Sequence, residues 1–90
     1  MKHKPHIKAS YDDIADVMYL TSARIVHTKN KEDEAGLVLR YDLKTHKPVG
    51  VTIIDFKEYW MPKQEHLVER LSRFFDISVE DASKAIRSTH

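Results

Sequence analysis

Three aspartates, Asp12, Asp13 and Asp16, fall within five residues of one another in "YDDIADVMYL", directly ahead of an apolar run. Carboxylates so close can hold a divalent cation or pass a proton. Along an extended strand Asp12 and Asp16 would stand about 13 Å apart, at about 3.3 Å per residue, too far to share a ligand. A turn over Asp12-Asp13-Ile14-Ala15 would bring them together. Turns favour aspartate for a reason of their own, because the carboxylate accepts hydrogen bonds from backbone N–H groups just ahead of it. On that reading Asp12 caps the turn between two strands and Asp16 pins the start of the second, and neither needs a ligand. A calcium loop would require more oxygen donors in a short stretch and a glycine at its bend, and this segment supplies neither. The rival reading is a metal-binding protein or enzyme using Asp12, Asp16 and a histidine.

The chain has six histidines. His3 and His6 flank a proline near the start, and "MKH" sets an imidazole third from a free amine. Amine, two amides and imidazole could take copper(II) or nickel(II) in a square plane. Any chain with histidine third shares that chemistry, so it identifies no dedicated site and calls for no cofactor. His27, His46 and His66 lie in different elements, and no His-x-x-x-His pair falls on a helix. There is no cysteine, which excludes disulfides, thiolate zinc sites and cysteine nucleophiles. No nucleophile elbow occurs. Gly36 and Gly50 are isolated, so no glycine-rich phosphate cradle can form. No catalytic residue emerges.

Basic residues gather loosely at Lys2, Lys4 and Lys8, at Lys29 and Lys31, at Lys44 and Lys47, and at Arg70 and Arg73. Fifteen basic residues against 14 acidic ones leave a formal net charge of +1. A nucleic-acid domain concentrates basic excess on one face, whereas here Glu32, Asp33, Glu34, Glu65 and Glu69 are interspersed. Nucleic-acid binding is therefore the alternative function, not the leading one.

The elements that must position these residues follow from periodicity. Ninety residues, 41% hydrophobic and 32% charged, make one domain with a small core. Residues 1–6 read as a flexible N-terminus and 7–90 as a single α+β domain, with sheet over 7–60 and a helical tail over 61–88. "IKASYD" alternates, with Ile7, Ala9 and Tyr11 on one side. "DVMYLTSARIVHTK" continues as strand, broken by a turn near Thr21-Ser22-Ala23. "NKEDE" (30–34) is a polar loop. "GLVLRYD" sets Leu37, Leu39 and Tyr41 against Val38, Arg40 and Asp42. In "VGVTIIDF" Val49, Val51 and Ile53 face one way, with Pro48 at the strand's mouth, where a missing N–H is tolerated. An antiparallel meander of four to five strands is the simplest arrangement.

After Trp60 the period becomes helical. Pro62 suits a first helical position, and Leu67, Val68, Leu71, Phe74 and Phe75 recur along one face. Asp76 breaks the run. Ser78 can cap a second helix by accepting the N–H of Asp81. Val79, Ala82, Ala85 and Ile86 then form its inward stripe, which ends near Arg87. Strands followed by two C-terminal helices make the α+β class.

Tyr11, Asp12, Ala15, Asp16, Tyr19 and Leu20, then Gly36 with Leu37 to Tyr41 and Asp42, then Gly50 opening the last strand, resemble the YuzE-like family of small bacterial domains (domain of unknown function 2283) in register. The likeness spans residues 7–56. It departs from the pattern at Thr45-His46-Lys47-Pro48, where the family carries a tighter glycine turn, and in the longer helical tail. The resemblance implies a compact α+β fold in a small bacterial or phage protein, and no activity.

Surplus apolar surface is the functional clue. "VMYL" and "VTII" do not alternate cleanly, so their side chains cannot all face one core, and Tyr59, Trp60 and Met61 follow at the sheet's end. Met18, Ile54, Phe56, Tyr59 and Trp60 are the expected interaction surface. The expected function is a non-enzymatic protein-interaction module, homodimeric, with an antitoxin-like or regulatory role beside a toxin-like partner as its most concrete form. No apolar run matches a membrane span and no signal-peptide core opens the chain, so a cytoplasmic location is expected.

Overall fold

A computed structural model describes residues 7–22, 27–33 and 36–88. His3, His6, Lys2, Lys4 and the expected flexible N-terminus lie outside the described residues, as does the Ala23 end of the expected turn. Five antiparallel strands, β1 (Lys8–Asp12), β2 (Val17–Thr21), β3 (Thr28–Glu32), β4 (Leu37–Asp42) and β5 (Pro48–Ile54), precede two helices, α1 (Gln64–Phe75) and α2 (Val79–Arg87). A single π-helical turn (Phe56–Trp60) and a 3-10 turn (Met61–Lys63) join sheet to helix. The expected α+β architecture is present, although the sheet ends at Ile54 and the first helical geometry begins at Phe56 rather than at Pro62.

The strand order is β1-β2-β5-β4-β3, which corrects the simple meander. The last strand inserts between β2 and β4. Its composition explains why: Val49, Gly50, Val51 and Ile53 are all buried, and a strand apolar on one face and small at Gly50 on the other is best placed at the centre. β3 takes an outer edge, and the expected polar loop over 30–34 is in part this strand. Lys29, Asn30, Lys31 and Glu32 pair with β4 although they bury nothing. Strand geometry here comes from ladder hydrogen bonds, and the charges keep the free edge from recruiting another strand.

The register sorts side chains between two faces. Met18 and Leu20, Leu37, and Val51 and Ile53 enter the core, where they meet Leu67, Val68, Leu71 and Phe75 of α1 and Ala82, Ala85 and Ile86 of α2. Both helices therefore pack on the same face of the sheet. Alanines at 82 and 85 let α2 lie close to its neighbours. Val79, expected on the inward stripe, is 55% exposed, since it stands in the first turn, before the helix meets the sheet. Met18, Phe56 and Trp60 were expected at an interaction surface. They are core residues instead, at 0%, 0% and 2% exposure. The π turn accounts for two of them, because its wide winding lets Phe56 and Trp60 both point inward.

Turn chemistry follows aspartate. Asp12 Oδ1 accepts the N–H groups of Ile14 (3.1 Å) and Ala15 (3.2 Å). Asp42 Oδ1 does the same for Lys44 (2.7 Å) and Thr45 (3.3 Å). Each Tyr-Asp pair thus opens the same kind of turn, and four residues after each aspartate comes a left-handed residue, Asp16 (φ 56°) or His46 (φ 62°). His46 occupies a left-handed conformation that glycine would favour. Helix α1 stops at Asp76, also left-handed, and the N–H of Ile77 closes back on the Ser72 carbonyl (3.0 Å), a Schellman-type end. Ser78 caps α2 as expected, its hydroxyl accepting the Asp81 N–H at 3.0 Å.

Two substitutions test these assignments by thermal or denaturant unfolding. Ser78→Ala should cost about 1 kcal/mol, the usual loss for an N-cap hydroxyl. His46→Gly should add about 1 kcal/mol by removing the Cβ clash of a left-handed residue. Loss of stability in His46→Gly would show that its imidazole holds the turn.

Candidate functional site

Asp16 is the most connected polar residue of the motif. The Asp12 turn delivers it at the head of β2 in a left-handed conformation, which aspartate tolerates better than most residues. Its carbonyl accepts the N–H of Phe56 (3.0 Å). Carboxylate Oδ1 accepts the N–H of Lys57 (2.8 Å) and the hydroxyl of Tyr11 (2.7 Å), and Oδ2 accepts the N–H of Glu58 (3.1 Å). The N–H groups of Phe56, Lys57 and Glu58 are the first three donors of the π turn, which would otherwise be orphaned. Asp55 stands where a cap would normally sit, but it is left-handed and its side chain caps nothing. Asp16 therefore caps a helical turn 41 residues away, rather than only pinning the start of β2.

The same contacts set the local acidities. The Lys57 N–H, with the Tyr11 hydroxyl and the Glu58 N–H, holds the Asp16 carboxyl below its ordinary range against the opposing effect of burial. Burial, the hydrogen bond to Asp16 and the negative charges of Asp16, Asp13 and Asp12 push the Tyr11 hydroxyl up to about 12. A phenol so held stays protonated at neutral pH and serves as a donor, not as a nucleophile or base. Its ring packs edge-on to Phe56 with centroids 5.7 Å apart, and Lys57 Nζ lies 5.2 Å from the ring centre.

Carboxylate oxygens of Asp16, Asp55 and Glu58 lie within 4.8 Å of one another. Asp12 does not belong to this group, and no described histidine joins it. A cation would have to compete for Asp16 with three donors already in place. The arrangement is complete as a helix cap, and the described residues do not assemble the rival metal set of Asp12, Asp16 and a histidine.

The remaining motif positions also have structural roles. Tyr41 packs edge-on to Phe74 at 5.5 Å. Ala15 gives its N–H to the Asp12 turn. Gly36 has φ 89°, a bend after which Asp33 Oδ1 accepts the Leu37 N–H at 3.0 Å. Among the basic residues, Arg70 is paired with Asp33 and Arg73 with Glu69. An open groove of about 820 Å³ runs beside Tyr59, Lys63, His66 and Glu69. Lys63 Nζ sits 4.0 Å over the Tyr59 ring there, and acid, base and apolar groups alternate around it without converging on one point.

The sheet's outer face is different. No described element covers it. Val17 and Ile54 lie side by side, then Tyr19, Thr52 and Val38, then Thr21, Gly50 and Arg40. Tyr19 is 41% and Ile54 44% exposed, while Val17 and Val38 are half-buried. A Cβ on Gly50 would meet the Arg40 guanidinium at 2.7–3.0 Å, so this side chain lies flat across the glycine. The Arg40 Nε–H is buried with no hydrogen-bond partner. Of the expected interaction residues only Ile54 is on this face. Tyr59, 45% exposed, belongs to the groove. The Arg40–Gly50 seat was missed from sequence, where alternation put Arg40 opposite the core but the register against β5 was not available.

Comparison with protein-family models, with curated proteins and with solved structures gives no match for this chain.

The Asp16 cap predicts a pH response. A carboxyl with a lowered folded pKa contributes stability that is present above its unfolded value and lost as pH falls through the folded one. Melting temperature should therefore drop on acidification below about pH 4, and Asp16→Asn should be less stable at neutral pH and less acid-dependent. Tyr11 works in the opposite sense, contributing fully below 10.0 and progressively less as pH rises to about 12. Tyr11→Phe should flatten that alkaline loss. A tyrosinate absorbance titration with every tyrosine ionising near its ordinary value would contradict the geometry at Tyr11.

Proposed function

We propose that the protein is a non-enzymatic interaction module that acts as a homodimer through the outer face of its sheet. The observation that carries this reading is that both helices cover one face and leave Val17, Tyr19, Val38 and Ile54 on the other. Strands about 4.8 Å apart and residues about 3.3 Å long give a five-stranded, five-residue face roughly 400 Å² in projection. With side-chain relief this approaches the roughly 600 Å² per partner of small specific interfaces. Leaving apolar area wet costs about 25 cal/mol per Å², and a twofold pair is the commonest way for identical chains to hide a shared patch. Sheets packed face to face in this way are a familiar solution, with their side chains interdigitating.

Relationship to the YuzE-like family, carried by the register of residues 7–56, and a cytoplasmic location are part of the same proposal. No described helix is long and apolar enough to cross a membrane. Nucleic-acid binding loses support with Arg70 and Arg73 already paired to acids.

Sedimentation equilibrium should show a dimer at micromolar concentration, and Tyr19→Glu or Ile54→Glu should yield a folded monomer. Trp60 fluorescence should stay blue and unchanged on dilution, because the indole lies in the core of each chain. A wild-type protein that remains monomeric at high concentration would overturn the proposal.

A further inference from the structure

β3 closes one side of the sheet, and no described strand lies beyond it. Two backbone hydrogen bonds fix which of its groups are free. The Leu43 N–H reaches the His27 carbonyl (3.0 Å), and the Asp33 N–H reaches the Leu37 carbonyl (2.9 Å). In an antiparallel ladder such bonded pairs recur at every second residue. Lys29 and Lys31, opposite Tyr41 and Leu39, therefore direct their backbone groups at β4. The N–H and C=O groups of Thr28, Asn30 and Glu32 point away from the sheet, a row of donors and acceptors with no strand to meet them. Side chains follow the same alternation. Lys29 and Lys31 stand on the helix side, both exposed, and neither has an ion pair among the described residues. Asp33, which follows the strand, is paired with Arg70. Glu32 stands on the outer side.

A second copy of this chain is ill suited to the edge. Free groups must meet free groups, so even-numbered residues would face even-numbered ones. Lysine then falls opposite lysine in every antiparallel register that pairs two or more of the free residues, and like charges directly opposite destabilise a ladder. A nucleic-acid strand fits no better. Its phosphates offer no donors to the carbonyls of Thr28 and Asn30, and they would meet the Glu32 carboxylate. A polypeptide strand with acids at alternate positions satisfies both the backbone and the lysines. In the new ladder Lys29 and Lys31 would hold the positions without hydrogen bonds, where opposite Cα atoms approach to about 4.5 Å and side chains lie closest.

We infer that the β3 edge binds an extended acidic segment of another protein by strand addition, with carboxylates opposite Lys29 and Lys31 and a base opposite Glu32. The lysines that turn away a second β3 thus select a strand of opposite charge. This goes beyond the dimer proposed above and uses a different part of the sheet, so either can fail without the other.

A labelled peptide, Val-Lys-Glu-Thr-Glu-Val-Thr, tests this with the full chain. Paired antiparallel, its glutamates come opposite Lys31 and Lys29 and its lysine opposite Glu32. Fluorescence anisotropy should show saturable binding. Exchanging both glutamates for lysine should weaken it at least about tenfold, as should the protein variant carrying Lys29→Glu and Lys31→Glu, and combining the two reversals should restore it. The peptide exchange needs no protein variant, so the test stays decisive should the reversed chain not fold. N-methylation separates a ladder from plain charge attraction. A methyl group on the central threonine, whose N–H would face Asn30, should abolish binding. On the glutamate opposite Lys29, whose N–H would point away, it should leave affinity nearly unchanged. Equal effects of the two methyl groups, or a peptide that does not bind, would overturn the inference. Tighter binding of a labelled thymidine oligonucleotide through the same lysines would also overturn it, by assigning the edge to phosphate.

Discussion

The hydrogen bonds converging on Asp16 tie the two halves of this protein together. A hairpin whose turn ends at residue 16 and a helical segment that begins at residue 56 meet through one carbonyl and one carboxylate. Four donors arrive there from Tyr11, Phe56, Lys57 and Glu58. Because the Asp16 caps begin the π turn, they set where Phe56 and Trp60 enter the core. Those two rings in turn fill the space between the sheet and α1. The carboxylate must be ionised to accept so many donors, and this is why its acidity and that of Tyr11 diverge. The motif residues that suggest chemistry in the sequence thus join distant elements.

From that junction the distribution of apolar surface follows. The chain leaves the end of β5 and turns back through the π and 3-10 segments, so α1 and α2 both lie on the face that Phe56 enters. Nothing among the described elements returns to the other side. Val17, Tyr19, Val38 and Ile54 remain there around the Arg40–Gly50 seat. The capping geometry at one end of the sheet is therefore connected with the open face available for association.

Local chemistry made much of the fold legible. The alternation of Val49, Val51 and Ile53, the helical spacing of Leu67, Val68, Leu71 and Phe75, the Ser78 cap and the turn role of Asp12 all depend on residues within a few positions of one another, and each was readable along the chain. Short-range rules were less helpful for β3, whose residues are polar and non-periodic and are held extended by pairing with β4. They also misplaced Met18, Phe56 and Trp60. An excess of apolar residues in a strand is visible in sequence, but which of them a particular helix covers is not.

The sequence by itself determined the class of the fold, the order of strands before helices, the end of α1, the start of α2 and the residues able to form turns, because propensity, capping and period act over one or two turns of chain. Tertiary structure alone decided that β5 lies at the centre, that Asp16 caps a helix far along the chain, and that Arg40 lies on Gly50 across an uncovered face. Each of these depends on register between strands distant in sequence. A shift of one residue would exchange the two faces of a strand, and no local pattern fixes that choice until the whole sheet and its helices pack together.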